Sequence, residues 1–473
     1  MFNRRDALKF GAVGGVVLAV PTEQLLTSAL GPSWTVTPFA RDLPVPQVLR
    51  PHAVGPDADH YRLTVAEGTA EIVPGVRTRV LTYNGQFPGP TIMARQGRAA
   101  RVTVENTLGV QTSVHLHGGN VAQDSDGHPL DAIDPGRSRT YHYPNSQRPG
   151  TLWYHDHAHH LEAEHVYRGL SGLYLIDEGW PSLRLPSGAH DVPLLFRDAD
   201  LTGDGELRWE LFGQGGRTMV LVNGVAQPRL KVRRRRYRLR LVNGANERPF
   251  RFRLSNGAQF TQLGSDGGLL GRPVQRSEIT LWAAERADVV VDFAPYAEGT
   301  QIVLENADGE ADSATRVLRF DVVGHPERDD SVIPETLAAV PAPRTPTVTR
   351  KVLLSFDPLA GFLINGKAYD PQRIDFTVKR GTTELWEITN LDTLLQVPHS
   401  LHLHLVQFRV LDRDGVRAPE WEAYPKDTVA VPPGSTVRIL VTFDSRHTGI
   451  YPFHCHFLDH SSLAMMAQLR IVA

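Results

Sequence analysis

Residues 454–465 read His-Cys-His-Phe-Leu-Asp-His-Ser-Ser-Leu-Ala-Met and contain the only cysteine of the 473-residue chain. Neighbouring side chains of a β-strand point to opposite faces, so a strand here would present His454 and His456 on one face and Cys455 on the other. A single cysteine excludes a fold stabilised by internal disulfides. A lone cysteine is commonly a small buried hydrophobic residue, but its place between two histidines favours a metal ligand.

Three further His-x-His pairs stand out, namely His115-Leu116-His117, His155-Asp156-His157 and His402-Leu403-His404. In a strand, each pair directs two imidazoles to one side. Two pairs lie in the first part of the chain and two in the last part. If these parts meet, eight imidazoles could hold three metal ions with open coordination positions. Imidazole binds copper, zinc, iron and nickel, so the pairs alone do not identify the metal.

The thiol identifies the metal. His399 precedes the third pair by three residues, and His460 and Met465 follow Cys455. One thiolate, two imidazoles and a distant thioether make up the donor set of a blue copper site. We therefore predict a single copper on the Cys455 face and a metal cluster on the opposite face. Cys455 and its flanking histidines would then be a covalent path for electrons between the two sites.

An Asn-Gly pair between apolar residues occurs three times, at Asn84, Asn223 and Asn365, with spacings of 139 and 142 residues. Asn-Gly favours a hairpin turn. Each pair precedes a run of alternating apolar and polar residues, which is typical of a half-buried strand. The runs are Ala100–Asn106, Tyr237–Asn243 and Glu384–Asn390. With abundant Gly and Pro, these features predict an all-β chain of three Greek-key sandwich domains.

The domains are predicted at residues 45–180, 181–324 and 350–473. The first two meet near Gly179-Trp180-Pro181, and a Pro-rich linker at 325–349 precedes the third. The 20 histidines are distributed unevenly, and none lies between His190 and His325. The middle domain is therefore predicted to be a spacer without copper ligands.

Basic and acidic residues nearly balance, with 50 Lys and Arg against 52 Asp and Glu. This gives no electrostatic reason to expect nucleic acid or anionic lipid as a partner. The segment Asn3-Arg4-Arg5-Asp6-Ala7-Leu8-Lys9 resembles a twin-arginine export signal and precedes an apolar stretch from Phe10 to Val20. As a helix, that stretch would cover about 16 Å of a bilayer core about 30 Å thick. We predict a signal at residues 1–32, a periplasmic or extracellular location and no stable membrane insertion.

Together these motifs resemble the four-motif signature of the multicopper oxidases, which include laccases, bilirubin oxidases, spore-coat oxidases and cuprous oxidases. The resemblance extends over residues 60–473, and the stretches 124–129 and 166–172 are most similar to the bacterial spore-coat and bilirubin-oxidase branch. It implies three cupredoxin domains, four copper ions, dioxygen as acceptor and a small-molecule electron donor. One chain would suffice for the cluster, so we expect a monomer.

The resemblance also implies a role for each ligand. Cys455, His399 and His460 would hold the type 1 copper, with Met465 in the axial position, and electrons would enter past His399 or His460. The remaining ligands would hold the type 2 copper (His115 and His402) and the type 3 pair (His117, His155, His157, His404, His454 and His456).

Dioxygen reduction also consumes protons. Asp126 matches the proton-relay aspartate of the family, and we predict that it acts in catalysis with Cys455, His399 and His460. The alternative is a turn residue in Ser125-Asp126-Gly127. Bacterial laccases often carry a glutamate directly after the second type 1 histidine, where this chain has Ser461, so we expect Asp126 to carry more of the proton transfer. Three other residues, His159, His160 and His165, are candidates for orienting ligand imidazoles, with surface or packing roles as the alternative.

The leading hypothesis for the donor is a phenol or an aromatic amine, as in a laccase. The alternative is a cuprous, ferrous or manganous ion. Soft thioethers bind Cu(I), but the chain has only five methionines, too few for the Met-rich insertions typical of cuprous oxidases. Two other classes are a copper nitrite reductase, which needs no type 3 pair, and a cell-envelope scaffold of cupredoxin fold, which would be expected to have lost ligands. The complete ligand set argues against both.

Overall fold

The computed structural model describes residues 34, 36–177 and 183–473. The predicted export signal at 1–32 and the predicted boundary at Gly179-Trp180-Pro181 lie outside the described residues. Within the described part of the chain, no helix has the length and apolar character needed to cross a membrane.

β-Strands make up nearly all of the regular structure of the described residues, so the predicted all-β fold is confirmed. The strands form six sheets. These pack as three pairs, because the apolar side chains of two sheets meet in each of three large cores. The described helices are short: α1 (Glu162–Arg168), α2 (Asp312–Thr315), α3 (Leu458–Ser462) and 3-10 turns at Gln123–Ser125, Gly188–His190, Gly213–Gly215 and Glu420–Glu422.

The first sheet pair comes from the first part of the described chain. Its strands are β1 (Val48–Leu49), β2 (Ala53–Val54), β3 (Ala58–Ala70), β4 (Thr78–Tyr83), β5 (Gly89–Arg95), β6 (Ala99–Asn106), β7 (Val114–His117), β8 (Ser138–Tyr143), β9 (Gly150–Asp156) and β10 (Ser171–Asp177). One sheet has the order β1-β5-β10-β9-β7, and the other has the order β2-β3-β6-β8 with β4 paired to β3.

The second sheet pair lies in the middle of the chain. Its strands are β11 (Asp191–Ala199), β12 (Met219–Val222), β13 (Val225–Ala226), β14 (Arg229–Arg234), β15 (Arg236–Asn243), β16 (Phe250–Leu254), β17 (Phe260–Ser265), β18 (Gly268–Arg276), β19 (Ile279–Leu281), β20 (Arg286–Asp292), β21 (Gln301–Asn306) and β22 (Arg316–Pro326). The sheet orders are β13-β12-β11-β15-β20-β17-β18 and β14-β22-β21-β16-β19.

The third sheet pair completes the described chain. Its strands are β23 (Val348–Asp357), β24 (Gly361–Ile364), β25 (Phe376–Lys379), β26 (Thr383–Asn390), β27 (His399–Leu403), β28 (Phe408–Arg413), β29 (Val416–Arg417), β30 (Thr428–Val431), β31 (Thr436–Thr442), β32 (Gly449–Cys455) and β33 (Met466–Val472). The sheet orders are β24-β23-β26-β31-β28-β29 and β25-β33-β32-β27-β30.

The repeat in the sequence is also a repeat in the structure. Asn84, Asn223 and Asn365 have positive φ angles, and the glycine after each does too, as a type I′ turn requires. The three predicted strand runs lie in β6, β15 and β26, which pair in parallel with β3, β11 and β23. Each run ends in an asparagine whose side-chain oxygen accepts from the amide two residues on and whose nitrogen donates to two carbonyls: Asn106, Asn243 and Asn390. The same turn, strand and side-chain bonds thus recur in every sheet pair.

Neighbouring strands carry the histidine pairs. In the first sheet pair β7 and β9 are antiparallel neighbours, with His115 opposite His155. In the third, β27 and β32 are antiparallel neighbours, with His402 opposite His454. Hydrogen-bonded strands lie about 5 Å apart, so each sheet brings two pairs side by side. α1 follows β9 and α3 follows β32, and a bond of 3.2 Å from the Ala163 amide to a hydroxyl of α3 joins the two helices.

Candidate metal centre

Eight buried imidazoles meet between the first and third sheet pairs. Rings from the two sheet pairs stack on each other: the ring centroids of His115 and His404 are 3.9 Å apart, and those of His117 and His402 are 3.7 Å apart. The cluster contains both members of each pair predicted from the sequence: His115, His117, His155, His157, His402, His404, His454 and His456.

In seven of these eight rings, one nitrogen is hydrogen-bonded to a protein group of the described structure. Backbone carbonyls accept the Nδ1–H of four rings at 2.6–3.0 Å, namely His115 on Asp126, His155 on Asp156, His402 on Asp427 and His454 on Cys455. Carboxylates face a ring N–H of three others, namely His157 on Glu162, His404 on Asp126 and His117 on Asp427. With one nitrogen protonated and fixed, the other nitrogen carries the lone pair that a metal ion requires.

Most of the remaining nitrogens have no protein partner. Buried ring nitrogens without a hydrogen bond to any described residue are His115 Nε2, His117 Nδ1, His155 Nε2, His157 Nε2, His402 Nε2 and both nitrogens of His456. Several overlapping sets of three ligand atoms lie within 4.8 Å of one another in this cluster. Buried polar atoms are normally paired, so these unpaired lone pairs fit a group of metal ions that share one pocket. Imidazole donors are compatible with copper.

Burial keeps these rings in the form that binds metal. Together with neighbouring imidazoles, it lowers the pKa of His155 to about 4 and the pKa of His157 and His454 to about 3. Burial also lowers the pKa of the other five rings well below the usual range. A metal ion binds neutral imidazole, so no ring proton has to be lost first at neutral pH.

Cys455 and two histidines form a second cluster. The Cys455 Sγ atom lies 3.7 Å from His399 Nδ1 and 3.5 Å from His460 Nδ1, and these two nitrogens are 3.2 Å apart. Met465 is buried in the same apolar core as Cys455. The Nε2–H of His399 donates to Asp392 at 2.7 Å, which fixes its ring. Burial raises the pKa of the Cys455 thiol to about 12, so a bound metal ion has to displace its proton. A thiol, two imidazoles and a thioether fit a blue copper ion.

Comparison with known proteins agrees with these donor sets. Models of a family described as multicopper oxidase match residues 64–179 and 340–473. A laccase from Bacillus subtilis is 35% identical over 518 residues, covering 92% of this chain and 99% of that laccase. The chain belongs to the multicopper oxidase family. Like its relatives, this multicopper oxidase is a copper-dependent oxidoreductase that uses dioxygen.

Solved multicopper oxidases share the fold. A laccase from Pediococcus acidilactici superposes with a TM-score of 0.86 at 32% identity, covering 94% of this chain and 96% of that chain. A multicopper oxidase from Campylobacter jejuni, described as a metallo-oxidase, has a TM-score of 0.81 at 26% identity, covering 93% and 98% of the two chains. The three cupredoxin-type sandwiches predicted from the sequence are therefore confirmed as the fold class.

Asp126 lies against two of the predicted ligands of this multicopper oxidase. Its Oδ2 atom accepts the Nδ1–H of His404 at 2.8 Å, and its Oδ1 atom lies 3.8 Å from His115 Nδ1. Asp126 is fully buried, and this burial raises the pKa of its carboxyl well above the usual range. The structure thus brings every predicted site residue into one of the two clusters or into contact with one.

Several carboxylates that touch ligands were missed by the sequence analysis. Glu162 contacts His157, Asp392 contacts His399, and Asp427 contacts His117. Glu162 follows a ligand by five residues and Asp392 precedes one by seven, so a search for acids near each motif could have found them. Asp427 lies 23 residues from the nearest ligand in sequence, His404, and nothing in the sequence links it to His117.

The three candidate orienting histidines behave differently. His165 Nδ1 lies 3.2 Å from an Asp156 oxygen, so it contacts the residue between two ligands. His160 Nδ1 donates to the Ser462 carbonyl at 2.7 Å, beside α3. The ring of His159 packs against His160 at a centroid distance of 3.8 Å. In the described structure these contacts join α1 to β9 and the residues just before α1 to α3, and they involve no ligand imidazole.

Proposed function

We propose that this multicopper oxidase is laccase-like: it oxidises phenols or aromatic amines by one electron at a time and reduces dioxygen to water with four electrons. The single observation that carries the proposal is that adjacent residues of the chain belong to the two different clusters. Cys455 belongs to one cluster, and its neighbours His454 and His456 belong to the other. Bound copper would supply the electron transfer, and the chain provides the path between the sites.

The proposed cofactor is four copper ions. Type 1 copper would be held by Cys455, His399, His460 and Met465, supported by the short distances among the first three. The type 2 ion is assigned to His115 and His402, and the type 3 pair to His117, His155, His157, His404, His454 and His456. The unpaired nitrogens described above support this assignment.

Aromatic side chains around His460 favour an aromatic donor. The ring of Phe362 stacks on His460 at a centroid distance of 4.0 Å, and Phe212 lies 6.2 Å from it. Phe212 is exposed, so a flat apolar donor could pack against it close to the His460 ring. The neighbouring carboxylate of Asp459 is buried and accepts the Phe212 amide at 2.7 Å. It is therefore engaged within the protein rather than presented to a metal-ion substrate.

A metal-ion oxidase is the second candidate function. It is favoured by the likeness to the Campylobacter jejuni multicopper oxidase, which is described as a metallo-oxidase. Against it stands the small number of methionines, since Cu(I) prefers thioether donors.

Dioxygen uptake distinguishes these functions. The copper-loaded protein would be supplied with a simple methoxyphenol in one cell and with ferrous or cuprous ion in another. Fast uptake with the phenol, lost in Cys455→Ser, is the expected result. Uptake with metal ions alone would move the assignment to a metal-ion oxidase. A fully copper-loaded protein that consumes no dioxygen with either donor would reject both proposals.

We also propose that the protein is exported and acts as a monomer. The twin-arginine motif at the N-terminus supports export. All eight cluster imidazoles belong to one chain, so a second copy is not needed to complete the site. Fractionation of cells and light scattering of the purified protein would test the two statements.

A further inference from the structure

One side chain of the middle sheet pair, which the sequence predicts to be a spacer, bonds a residue that contacts the imidazole cluster. Arg286 is the first residue of β20 and is only 1% exposed. Its guanidinium forms an ion pair with Asp427, the residue before β30. We infer that Arg286 is a positioning residue for the imidazole cluster and acts through Asp427. The inference rests on the proposed copper cluster.

All five N–H donors of this guanidinium are used. Nε donates to the Thr151 carbonyl at 3.1 Å. Nη1 donates to the Ala284 carbonyl at 3.1 Å and to Asp427 Oδ1 at 2.6 Å. Nη2 donates to the Asp266 carbonyl at 3.0 Å and to Asp427 Oδ2 at 2.6 Å. The acceptors belong to all three sheet pairs, so they fix the direction of the side chain from three sides.

Asp427 transmits this fixed position to two imidazoles. Its Oδ1 atom accepts the Nε2–H of His117 at 3.0 Å, and its backbone carbonyl accepts the Nδ1–H of His402 at 2.8 Å. These two rings stack on each other although they come from different sheet pairs. A carboxylate held by two parallel bonds cannot rotate freely. It therefore keeps the unpaired nitrogens of both rings directed into the cluster.

Gly118 gives independent support. It directly follows His117 and has a φ of +84°, and a Cβ atom there would lie 2.8 Å from both Arg286 Nη2 and Asp427 Oδ2. The ion pair thus occupies the space that a side chain at position 118 would need. The glycine in the His-Leu-His-Gly motif is required by this contact as well as by its backbone angle.

Arg240 offers a matched comparison for a purely structural role. It is also a buried arginine of the middle sheet pair, and it also bonds Thr151, through Nη1 to Oγ1 at 3.1 Å. Its other hydrogen bonds go to Asp191, and its Nη1 atom lies 3.8 Å from Asp288 Oδ2. In the described structure Arg240 forms no hydrogen bond to a cluster imidazole. The described partners of Arg240 form no side-chain hydrogen bond to one either. If both arginines only cross-linked sheet pairs, replacing either one would have the same effect on copper binding.

The test compares Arg286→Lys with Arg240→Lys in the copper-loaded protein. A lysine has one ammonium group and cannot hold both oxygens of Asp427. Copper per chain is measured at increasing chelator concentration, and the visible absorption of the Cys455 site serves as an internal reference. For Arg286→Lys we expect the chelator concentration that removes half of the cluster copper to fall about 10- to 100-fold, while the visible absorption persists. Arg240→Lys should retain copper as the unchanged protein does.

Equal copper retention in the two variants would overturn the inference. Circular dichroism of the copper-free proteins shows whether each variant folds. If Arg286→Lys does not fold, Asp427→Asn replaces it, because this change removes the ion pair but keeps an oxygen for His117; full copper retention would then overturn the inference.

A double variant tests whether Arg286 acts through Asp427. Combining Arg286→Lys with Asp427→Asn should lose no more copper affinity than the more affected single variant, because the two residues act as one unit. If the fold-losses in copper affinity of the two single variants multiplied in the double variant, the two residues would not act as one unit. Copper retention is read without any donor, so an absence of phenol oxidation would reject the proposed function and leave this inference standing.

Discussion

The hydroxyl of Ser461 donates a hydrogen bond to the Glu162 carboxylate, and the other carboxylate oxygen faces the Nδ1–H of His157. Both contacts are buried. Ser461 stands where bacterial laccases often carry a glutamate. Here α1 supplies a carboxylate that contacts Ser461, from a residue 299 positions earlier in the chain. An acid beside Ser461 is therefore present, although it comes from a different element.

Glu162→Gln should weaken the imidazole cluster. Two donors, the Ser461 hydroxyl and the His157 ring, face the two oxygens of Glu162, and glutamine offers only one acceptor oxygen. The His157 ring would lose its fixed orientation, so we expect copper affinity or oxygen uptake to fall about 10- to 100-fold. Glu164→Gln is the control, because Glu164 bonds only the half-exposed Arg168 within the described structure. Equal effects of the two changes would contradict the prediction.

Moving the carboxylate should restore part of the loss. In the double variant Glu162→Ser with Ser461→Glu, the acid would come from α3 and the hydroxyl from α1. We expect more copper retention and faster oxygen uptake than in Glu162→Ser alone, since the carboxylate occupies the same buried contact. A double variant that performs no better than the single change would show that α1 must supply the acid.

Asp126→Asn separates the two interpretations of this residue. Asparagine forms Asx turns as well as aspartate does, so a pure turn residue would tolerate the change. As a proton donor for dioxygen reduction, Asp126 is expected to be essential, and turnover should fall by at least about 100-fold. Anaerobic electron uptake from the donor should not change. Asp124→Asn is the control, because Asp124 is exposed two residues earlier.

Phe212→Ala should weaken the use of phenols. Its exposed ring lies beside the ring of His460, so its removal takes away apolar contact with an aromatic donor. We expect KM for a methoxyphenol to rise several-fold with little change in kcat. Oxidation of ferrous ion should be unaffected. Leu211→Ala is the matched control, since Leu211 is 43% exposed and Phe212 is 44% exposed. A rise in KM for both variants would point to a general change in this loop.

Asp191→Asn should destabilise the protein at neutral pH and have a smaller effect at acidic pH. Burial alone would raise the pKa of Asp191, but the two bonds from Arg240 at 2.7 Å hold it below its usual value. A depressed folded-state pKa contributes stability that is complete above the unfolded value of about 4 and is lost as the pH falls through the folded value. We expect a loss of about 2 kcal/mol at neutral pH that shrinks below about pH 4.

Urea unfolding of both proteins across the pH range would measure this effect. Asp312→Asn is the control: Asp312 pairs with Arg316 on the surface, where ion pairs contribute little. The difference in unfolding free energy between the Asp191 variant and the unchanged protein should shrink towards pH 3. A constant difference down to that pH would contradict the assigned pKa shift.

Local patterns predicted most of the site. His454, Cys455 and His456 specify opposite faces of one strand because strand geometry fixes where neighbouring side chains point. The Asn-Gly turns predicted the repeated sheets for a similar reason, since their backbone angles belong to one turn type. Such features depend on residues within a few positions of one another.

Contacts between distant parts of the chain could not be predicted in this way. Arg286 reaches Asp427 across 141 residues, and no local pattern marks a buried arginine as a partner of a ligand. The prediction that the middle domain is only a spacer followed from the absence of histidines between His190 and His325. The number of histidines gives no information about residues that contact the metal ligands through another side chain.

The segment between β22 and β23 separates the ligands into two groups. A chain cut there would leave His115, His117, His155 and His157 in one fragment, and the other four cluster imidazoles with the complete Cys455 donor set in the second. The blue colour would then report folding of the second fragment alone, whereas dioxygen consumption would require both fragments to dock. The two copper sites would thus act as separate optical and catalytic reporters of successive stages of assembly.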